Sequence, residues 1–290
     1  MKRLTLLLAM ATICLTVLTV SAQEKKDTIR IGGMIIVKEG KTNGGGDRSV
    51  KMKRDHSPKK LRNVSTNWGI LDLGFSNYDD KTNYSAPGMG GYLINRPGYP
   101  AFSKSDFRLR AGKSINVNIW IFMQRLNLVK HHVNLKYGLG LELNNYRYKS
   151  TISYKESGTE PYSNMPAVRT EPFIFRDSIS FTKNKLAADY LTVPLMLNFS
   201  SHPSRHNKGV SISVGVSAGY LYSQRNKQKS GDRGKRINKG EYDLERFKFS
   251  YIAELGLGPI RLYGSYSPKS IYEKTLDMRP YTIGLRFSNW

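Results

Sequence analysis

Apolar and polar residues alternate along residues 132–144, and this pattern predicts a long β-strand. Every second residue from Val133 to Leu143 is a bulky aliphatic residue or a tyrosine, and the residues between them are charged, amide-bearing or glycine. Successive side chains of an extended chain point to opposite faces, so the segment has one continuous apolar face and one polar face. The apolar face must be covered either by a second layer of protein or by lipid.

The same alternation recurs in seven further segments. The eight predicted strands cover residues 68–77, 114–124, 132–144, 190–200, 210–220, 247–257, 260–267 and 281–288. We expect the bulky apolar set of each strand to face outward and the polar set, which is rich in glycine and serine, to face inward. Inward glycines would leave room for Trp120 and Phe122 inside; they are Gly138, Gly140, Gly215, Gly219 and Gly256. Pro194 lacks the N–H that a ladder needs, so we expect a local irregularity in the fourth strand.

The connections between the predicted strands run long, short, long, short, long, short and medium. Outer-membrane barrels show this rhythm, with long loops outside the cell and tight turns in the periplasm. The predicted fold is therefore all-β: an eight-stranded antiparallel up-and-down transmembrane β-barrel with both termini in the periplasm. The alternative is a soluble sandwich or lipocalin-like barrel, in which the apolar set would lie inside and the glycine- and serine-rich set would face water.

The N-terminus has the three parts of a secretory signal peptide. Lys2 and Arg3 precede an apolar run over residues 4–20, and small residues follow at Ser21 and Ala22. We predict a signal peptide over 1–22, a flexible basic periplasmic leader over 23–66 in which residues 29–37 form one short strand or a contact segment, and an outer-membrane β-barrel over 67–290. A retained membrane anchor is the alternative interpretation of the apolar run, whose length is at the lower limit for spanning a bilayer.

Composition and net charge limit the cysteine chemistry and the binding partners that can be expected of the chain. The formal net charge is +24, and the chain has one cysteine, Cys14, within the predicted signal peptide. The mature chain is therefore expected to have no disulfide, no thiol nucleophile and no thiolate metal site. The basic leader fits either a solvated tail or a segment that binds anionic lipid. Nucleic acid is not an expected partner, because the predicted location is the cell outer membrane and no aromatic residues alternate with the basic run to stack on bases.

Four features of the sequence are shared with one known family. They are the signal peptide, the run Val193–Pro194–Leu195, the glycine-rich fifth strand, and a final strand from Tyr281 to Phe287 that reads Tyr-Thr-Ile-Gly-Leu-Arg-Phe. In these features the chain resembles the PorT-like outer-membrane β-barrel family of Gram-negative bacteria of the Bacteroidetes type. The resemblance implies an eight-stranded barrel that the outer-membrane assembly machinery inserts. One branch of that family is similar to accessory proteins of a secretion system.

The histidines do not favour an enzyme. Small barrels that act as lipid A deacylases or proteases place histidine near the extracellular rim, because a serine nucleophile needs a general base. His56 lies in the leader, and the other four histidines lie in or beside predicted periplasmic turns: His131, His132, His202 and His206. These four imidazoles are an alternative metal site, but no carboxylate accompanies them. We therefore predict no catalytic residue, no metal site and no cofactor.

Seven charged residues occupy inward positions of the predicted strands: Asp72, Lys136, Glu142, Lys248, Glu254, Arg261 and Arg286. Unpaired charge is unfavourable in a closed interior, so we expect these residues to pair with one another. The alternative is a line of charges that conducts protons or ions. A general diffusion pore is not expected, because it needs more than eight strands.

The predicted third extracellular loop, residues 224–243, holds the strongest candidate binding site. Its cations are Lys227, Lys229, Arg233, Lys235, Arg236 and Lys239. They would lie beside the phosphates and sugars of the outer leaflet, where they either bind anionic material or are simply solvated.

These observations predict a small non-enzymatic outer-membrane β-barrel protein whose long extracellular loops bind anionic envelope material or a protein partner. The expected partners are outer-membrane lipid, lipopolysaccharide, the outer-membrane assembly machinery and an envelope protein. The alternatives are a lipid-A-modifying barrel enzyme and an accessory component of a protein secretion system.

Overall fold

The computed structural model describes residues 61–87, 89–163, 168–203 and 209–288, together with the backbone of three strands before residue 55. The chain divides into two compact units, residues 1–59 and 60–290. The predicted signal peptide, 1–22, lies outside the described residues. Within the described parts of the chain, no helix is long and apolar enough to cross a membrane.

The first unit contains three short antiparallel strands in the order β1 (Thr28–Ile31), β2 (Met34–Lys38) and β3 (Val50–Arg54). Residues 29–37, expected to form one short strand or a contact segment, instead contribute to two paired strands. Two apolar runs flank Gly32 and Gly33 in the sequence, and a glycine pair between such runs is typical of a hairpin.

The second unit consists mainly of strands. Its elements in chain order are β4 (Val64–Asp80), α1 (Met89–Tyr92), β5 (Leu93–Ile94), a 3₁₀ turn (Ala111–Lys113), β6 (Ile115–Val129), β7 (Val133–Arg147), β8 (Ile152–Lys155), β9 (Gly158–Thr159), β10 (Val168–Arg169), β11 (Phe173–Arg176), β12 (Lys183–Ser200), β13 (Val210–Ser230), β14 (Gly234–Lys239), β15 (Phe247–Leu257), β16 (Ile260–Tyr266) and β17 (Met278–Phe287). The strands β4, β6, β7, β12, β13, β15, β16 and β17 correspond to the eight that the alternation predicts. The fold class is all-β, as expected.

These eight long strands pair side by side in a closed antiparallel ring. The order around the ring is β4, β6, β7, β12, β13, β15, β16 and β17, and β17 pairs with β4 to close it. Each long strand lies beside the next long strand along the chain, so the topology is up-and-down. Closure gives all eight strands a partner on both sides, which removes the exposed edges of an open sheet.

The burial pattern of the ring strands confirms that the bulky residues face outward. Along β7, every second residue from Asn134 to Tyr146 is buried, and the residues between them are partly exposed. On other strands the outward apolar residues are strongly exposed, for example Phe249 at 54% and Ile283 at 66%. A water-soluble barrel would bury such side chains. We call this outward zone of apolar residues the apolar band.

The prediction that Phe122 faces inward is wrong, because a β-bulge at Ile121 reverses the facing of the residues after it. The register between β6 and β7 shifts between Trp120 and Phe122. Trp120 is buried inside as predicted, and Met123 takes the next inward position. Phe122 faces outward, where its ring lies 5.8 Å from the ring of Trp68. An alternation in sequence cannot reveal one extra residue in a strand, since a bulge shows only in the pairing.

Pro194 lies within β12 without breaking it. The pairs between β12 and β7 stop at Thr192 and resume at Leu195, whereas the register with β13 continues through Pro194 and Ser217. The expected irregularity is thus a gap in one ladder. The strand stays continuous, because a missing N–H affects only one side of it.

β12 and β13 extend beyond their predicted ends. β12 begins at Lys183 rather than near residue 190, and β13 continues to Ser230 rather than ending near residue 220. The two extensions pair with each other over this length. They contain charged and amide-bearing residues, so an apolar alternation does not mark them as strands.

The two ends of the ring differ in their connections, as the sequence predicts. Short connections join the strands at one end, which we call the short-turn end: 130–132, 201–209 and 258–259. Longer connections join them at the other end, which we call the long-connection end: 81–114, 148–182, 231–246 and 267–277.

Candidate functional site

All seven predicted inward charges are buried within the ring, and they form two groups. In the larger group Arg286 bridges two carboxylates, with its Nε 2.7 Å from Asp72 Oδ1 and its Nη1 2.9 Å from Glu254 Oε2. Glu254 also accepts hydrogen bonds from Lys136 Nζ at 3.1 Å and from Arg261 Nη1 at 3.3 Å. Three cations therefore converge on one carboxylate, which compensates the loss of hydration that each charge suffers inside the ring.

The smaller group is the ion pair between Glu142 and Lys248. Glu142 also accepts a hydrogen bond from Asn144 Nδ2 at 2.9 Å. A cavity of about 30 Å³ lies beside Glu142, Thr192 and Ser217. This volume holds one or two water molecules. The pairing and the small cavity favour a structural role for these charges over a conducting path.

An apolar core, which we call the cap, fills the ring at its long-connection end. Many of its buried side chains are aromatic and come from the long connections: Tyr92, Phe102, Phe107, Tyr148, Tyr154, Tyr242 and Tyr272. The hydroxyl groups of Tyr148, Tyr154 and Tyr272 form a hydrogen-bonded chain with two O–O distances of 2.7 Å. Burial raises the pKa of Tyr148 and of Tyr242 to about 12.

The sequence does not predict the cap, because the long connections are mostly polar and rich in turn residues, which is typical of loops. Aromatic residues scattered through the long connections were the available signal. Their spacing follows neither a period of two nor a helical period, so they do not identify a packed segment on their own.

The predicted loop 224–243 is also wrong, because this segment forms a β-hairpin that extends the ring. The six predicted binding cations divide between its strands and its turn: Lys227 and Lys229 on β13, Arg233 in the turn, and Lys235, Arg236 and Lys239 on β14. Ser230 pairs with Gly234 across a three-residue turn, and Gly234 has a φ of +63° that glycine adopts readily. Lysine and arginine take the outward positions here, so the strands lack the apolar alternation that prediction relies on.

The six predicted binding cations also differ in which face of the hairpin they occupy, inner or outer. Asn226, Gln228 and Ser230 are buried on the inner face, and their cross-strand partners on β14 include Arg236. Arg233 also reaches the inner side, where its Nη1 lies 2.8 Å from Asp177 Oδ2. The other four cations occupy the alternate, outward positions.

Outward-facing cations continue across four neighbouring strands. We call this surface the cationic wall; its members are Arg147, Lys183, Lys185, Arg225, Lys227, Lys229, Lys235 and Lys239. Several are direct cross-strand partners, such as Lys183 with Lys229 and Lys229 with Lys235. Within the described residues, one member of the wall forms an ion pair: Arg225 pairs with Asp189. Like charges placed opposite each other repel, so an anion bound to the wall would relieve this repulsion.

The described histidines lie at the short-turn end. His132 Nδ1 lies 2.8 Å from the carbonyl oxygen of Ser200, and His202 Nδ1 lies 3.0 Å from Ser201 Oγ. His131 is in the turn between β6 and β7. His56 and His206 lie outside the described residues. In the part of the chain that the structure describes, no group of three or more His, Cys, Asp or Glu residues could hold a metal ion.

Comparison with known proteins identifies the family of the chain. Residues 63–268, which include the strands from β4 to β16, match the family model for the outer membrane protein beta-barrel domain. The chain belongs to this family. The protein is therefore an outer-membrane protein, and the predicted location is confirmed.

Among solved structures, the chain is similar to the crystal structure of Ail, the attachment invasion locus protein of Yersinia pestis. The two sequences are 12% identical, the alignment covers 78% of this chain and 100% of that chain, and the TM-score is 0.28. No curated protein gives a significant match.

Proposed function

We propose that this protein is a small, non-enzymatic, eight-stranded transmembrane β-barrel that binds anionic envelope material outside the cell. The cationic wall is the observation on which this proposal depends. Closed pairing of the eight strands and the outward apolar band support the membrane-spanning arrangement, because lipid would cover the apolar side chains and no backbone edge would meet it. β4 begins at Val64 and β17 ends at Phe287, both at the short-turn end of the ring. This end would then face the periplasm.

The position of the cationic wall supports phosphate groups of lipopolysaccharide as the ligand. The outward residues of β13 change from the exposed tyrosines Tyr220 and Tyr222 to Arg225 and Lys227. Aromatic residues mark the membrane–water interface of outer-membrane barrels. Cations immediately beyond that interface would lie at the level of the lipid phosphates, which they attract.

A non-enzymatic role is part of the proposal. His131, His132 and His202 lie at the short-turn end, whereas lipid chemistry in the outer leaflet would need a general base near the long-connection end. The narrower PorT-like affinity and insertion by the outer-membrane assembly machinery also remain proposals. They are supported by the sequence of β12 around Pro194 and by the sequence of β17.

Removal of charge from the cationic wall tests the proposal. The triple variant Lys227→Gln/Lys229→Gln/Lys235→Gln is compared with the wild-type full-length chain in detergent micelles, and the dissociation constant for lipopolysaccharide is measured by microscale thermophoresis. A cation near an anionic surface contributes about 1 kcal/mol, so the variant should bind about 100-fold more weakly. Wild-type binding should weaken as salt is added, because salt screens exposed charges.

A matched control removes the same charge from exposed positions outside the wall: Lys149→Gln, Lys269→Gln and Lys274→Gln. This variant should bind lipopolysaccharide as the wild type does. If both variants weaken equally, net charge rather than the wall determines binding. Unchanged binding of the first variant, or equal binding of dephosphorylated lipopolysaccharide, would refute the proposal.

A further inference from the structure

The inner face of the β13–β14 hairpin borders a second candidate site, which is separate from the cationic wall. A cleft of about 240 Å³ lies between this hairpin, β8 and β11. It is smaller than the roughly 300–1,000 Å³ sites that hold drug-sized ligands. The cleft therefore suits one small unit, such as a single sugar of a longer chain.

The floor of the cleft is a preformed polar network. Asp177 is buried and accepts hydrogen bonds from Ser153 Oγ at 3.2 Å and from Arg233 Nη1 at 2.8 Å. Gln228 Nε2 donates to the same Ser153 oxygen at 2.7 Å. These side chains are held by each other, so a ligand would not have to order them on binding.

The rim of the cleft has positive charge that the protein does not use. Lys155 and Arg236 line the cleft and are exposed. Within the part of the chain that the structure describes, neither side chain has a hydrogen bond or an ion pair. With Arg233, three cations line the cleft against one carboxylate, Asp177. The excess of positive charge among these four side chains favours an anionic ligand.

One side of the cleft is aromatic. Phe175 and Phe181 are partly buried and contribute to its lining, and the amide of Asn238 lies among the same residues. Sites for small polar ligands combine apolar or aromatic walls with a few polar groups that fix orientation. A sugar ring matches this combination, because its C–H groups are apolar and its hydroxyl groups form hydrogen bonds.

We propose that this cleft binds one acidic sugar unit of a surface glycan, with its carboxylate bound by Arg236 and Lys155. The guanidinium of Arg236 presents parallel N–H donors that fit a carboxylate. The sugar ring lies against Phe175 and Phe181, and its hydroxyl groups bond to Asn238. This inference rests on the proposed function in one respect: the long-connection end must face outside the cell.

Saturation-transfer NMR on the full-length protein in detergent micelles tests the inference with three probes: D-glucuronate, D-glucose and D-glucose 6-phosphate. Saturation should reach glucuronate strongly, glucose 6-phosphate weakly and glucose not at all. The inference is overturned if glucuronate receives no saturation, if glucose receives as much as glucuronate, or if the phosphate binds more tightly than the carboxylate.

Two exposed cations provide matched variants. Arg236→Gln should raise the dissociation constant for glucuronate about tenfold or more, as loss of a charge-assisted hydrogen bond does. Lys269→Gln removes the same charge from an exposed position outside both the cleft and the cationic wall, and it should leave this dissociation constant unchanged. Neither side chain is buried, and thermal melts of both variants verify that the fold is kept. Equal effects of the two variants would overturn the inference.

The two binding proposals can fail separately. If the cationic-wall variant loses lipopolysaccharide binding but glucuronate does not bind the wild type, only the cleft inference falls. If glucuronate binds and depends on Arg236 while the wall variant retains lipopolysaccharide binding, only the proposal for the wall falls.

Discussion

Replacement of Glu254 by glutamine removes the carboxylate on which three buried cations converge. Lys136, Arg261 and Arg286 each have a nitrogen within 3.3 Å of a Glu254 oxygen. Glutamine has nearly the same shape, so the substitution changes charge and leaves the packing almost intact. The cations would then remain buried with less negative charge around them.

The expected cost is large compared with the stability of a folded domain. Removal of one partner of a buried ion pair costs about 3–5 kcal/mol, because the other charge stays buried without compensation. Asp72 still pairs with Arg286 in the variant, so we expect the lower part of this range, about 3 kcal/mol. Folded proteins are stable by only about 5–15 kcal/mol.

Urea unfolding of the purified protein in micelles measures this effect through tryptophan fluorescence. Trp120 is a suitable reporter, because its Nε1 donates to Asp72 Oδ2 at 2.7 Å and the Arg286 guanidinium lies 5.5 Å from its ring centre. With about 3 kcal/mol per molar of urea, the unfolding midpoint of Glu254→Gln should fall by about 1 M.

The matched control is Glu241→Gln. Glu241 pairs with Arg246 at 3.3 Å, and both side chains are more than half exposed. Exposed pairs contribute about 0–1 kcal/mol, so this variant should unfold close to the wild-type midpoint. If Glu254→Gln unfolds at the same urea concentration as Glu241→Gln, the interior network does not stabilise the ring and the reasoning is refuted.

Two further predictions concern the apolar band and the cap. In liposomes, Ile283→Lys should lower the free energy of unfolding by about 2–4 kcal/mol relative to Ile283→Leu, because lipid solvates this outward position; equal stability of the two variants would contradict the lipid-facing assignment. Tyr148 and Tyr242 have pKa values near 12, above the ordinary value of 10, so their contribution to stability is complete below pH 10 and lost as the pH rises to 12. For Tyr148 this loss is about 3 kcal/mol, and near-ultraviolet circular dichroism should show the cap losing order in that interval. A cap signal that persists above pH 12 would contradict this assignment.

The alternation was sufficient to predict the eight strands and the facing of most of their residues. Bulky outward residues and small or polar inward residues occupy opposite faces in each strand, so sequence and burial agree. Gly140 illustrates the agreement: a Cβ atom there would lie 2.6 Å from Trp120 Cε3, so glycine leaves the space that the inward indole occupies. The interior charges could also be predicted from the sequence, because each of them occupies the polar face of its strand.

The features that sequence did not reveal depend on contacts between distant residues. The bulge at Ile121 is defined by the pairing with β7, so strict alternation placed Phe122 on the wrong face. The hairpin within 224–243 is held by backbone pairing, and its lysines give no apolar signal. The choice of partners for Glu254 follows from the register of β7, β15 and β17, which local sequence does not specify.

Closure of the ring by its first and last strands has a consequence for how the protein matures. Asp72 on β4 and Arg286 on β17 are 214 residues apart, yet each provides the main compensation for the other's charge. A chain that lacked β17 would present two open sheet edges and a carboxylate without its guanidinium, both of which favour aggregation or degradation. The ring therefore cannot close until nearly the whole polypeptide, through β17, is present.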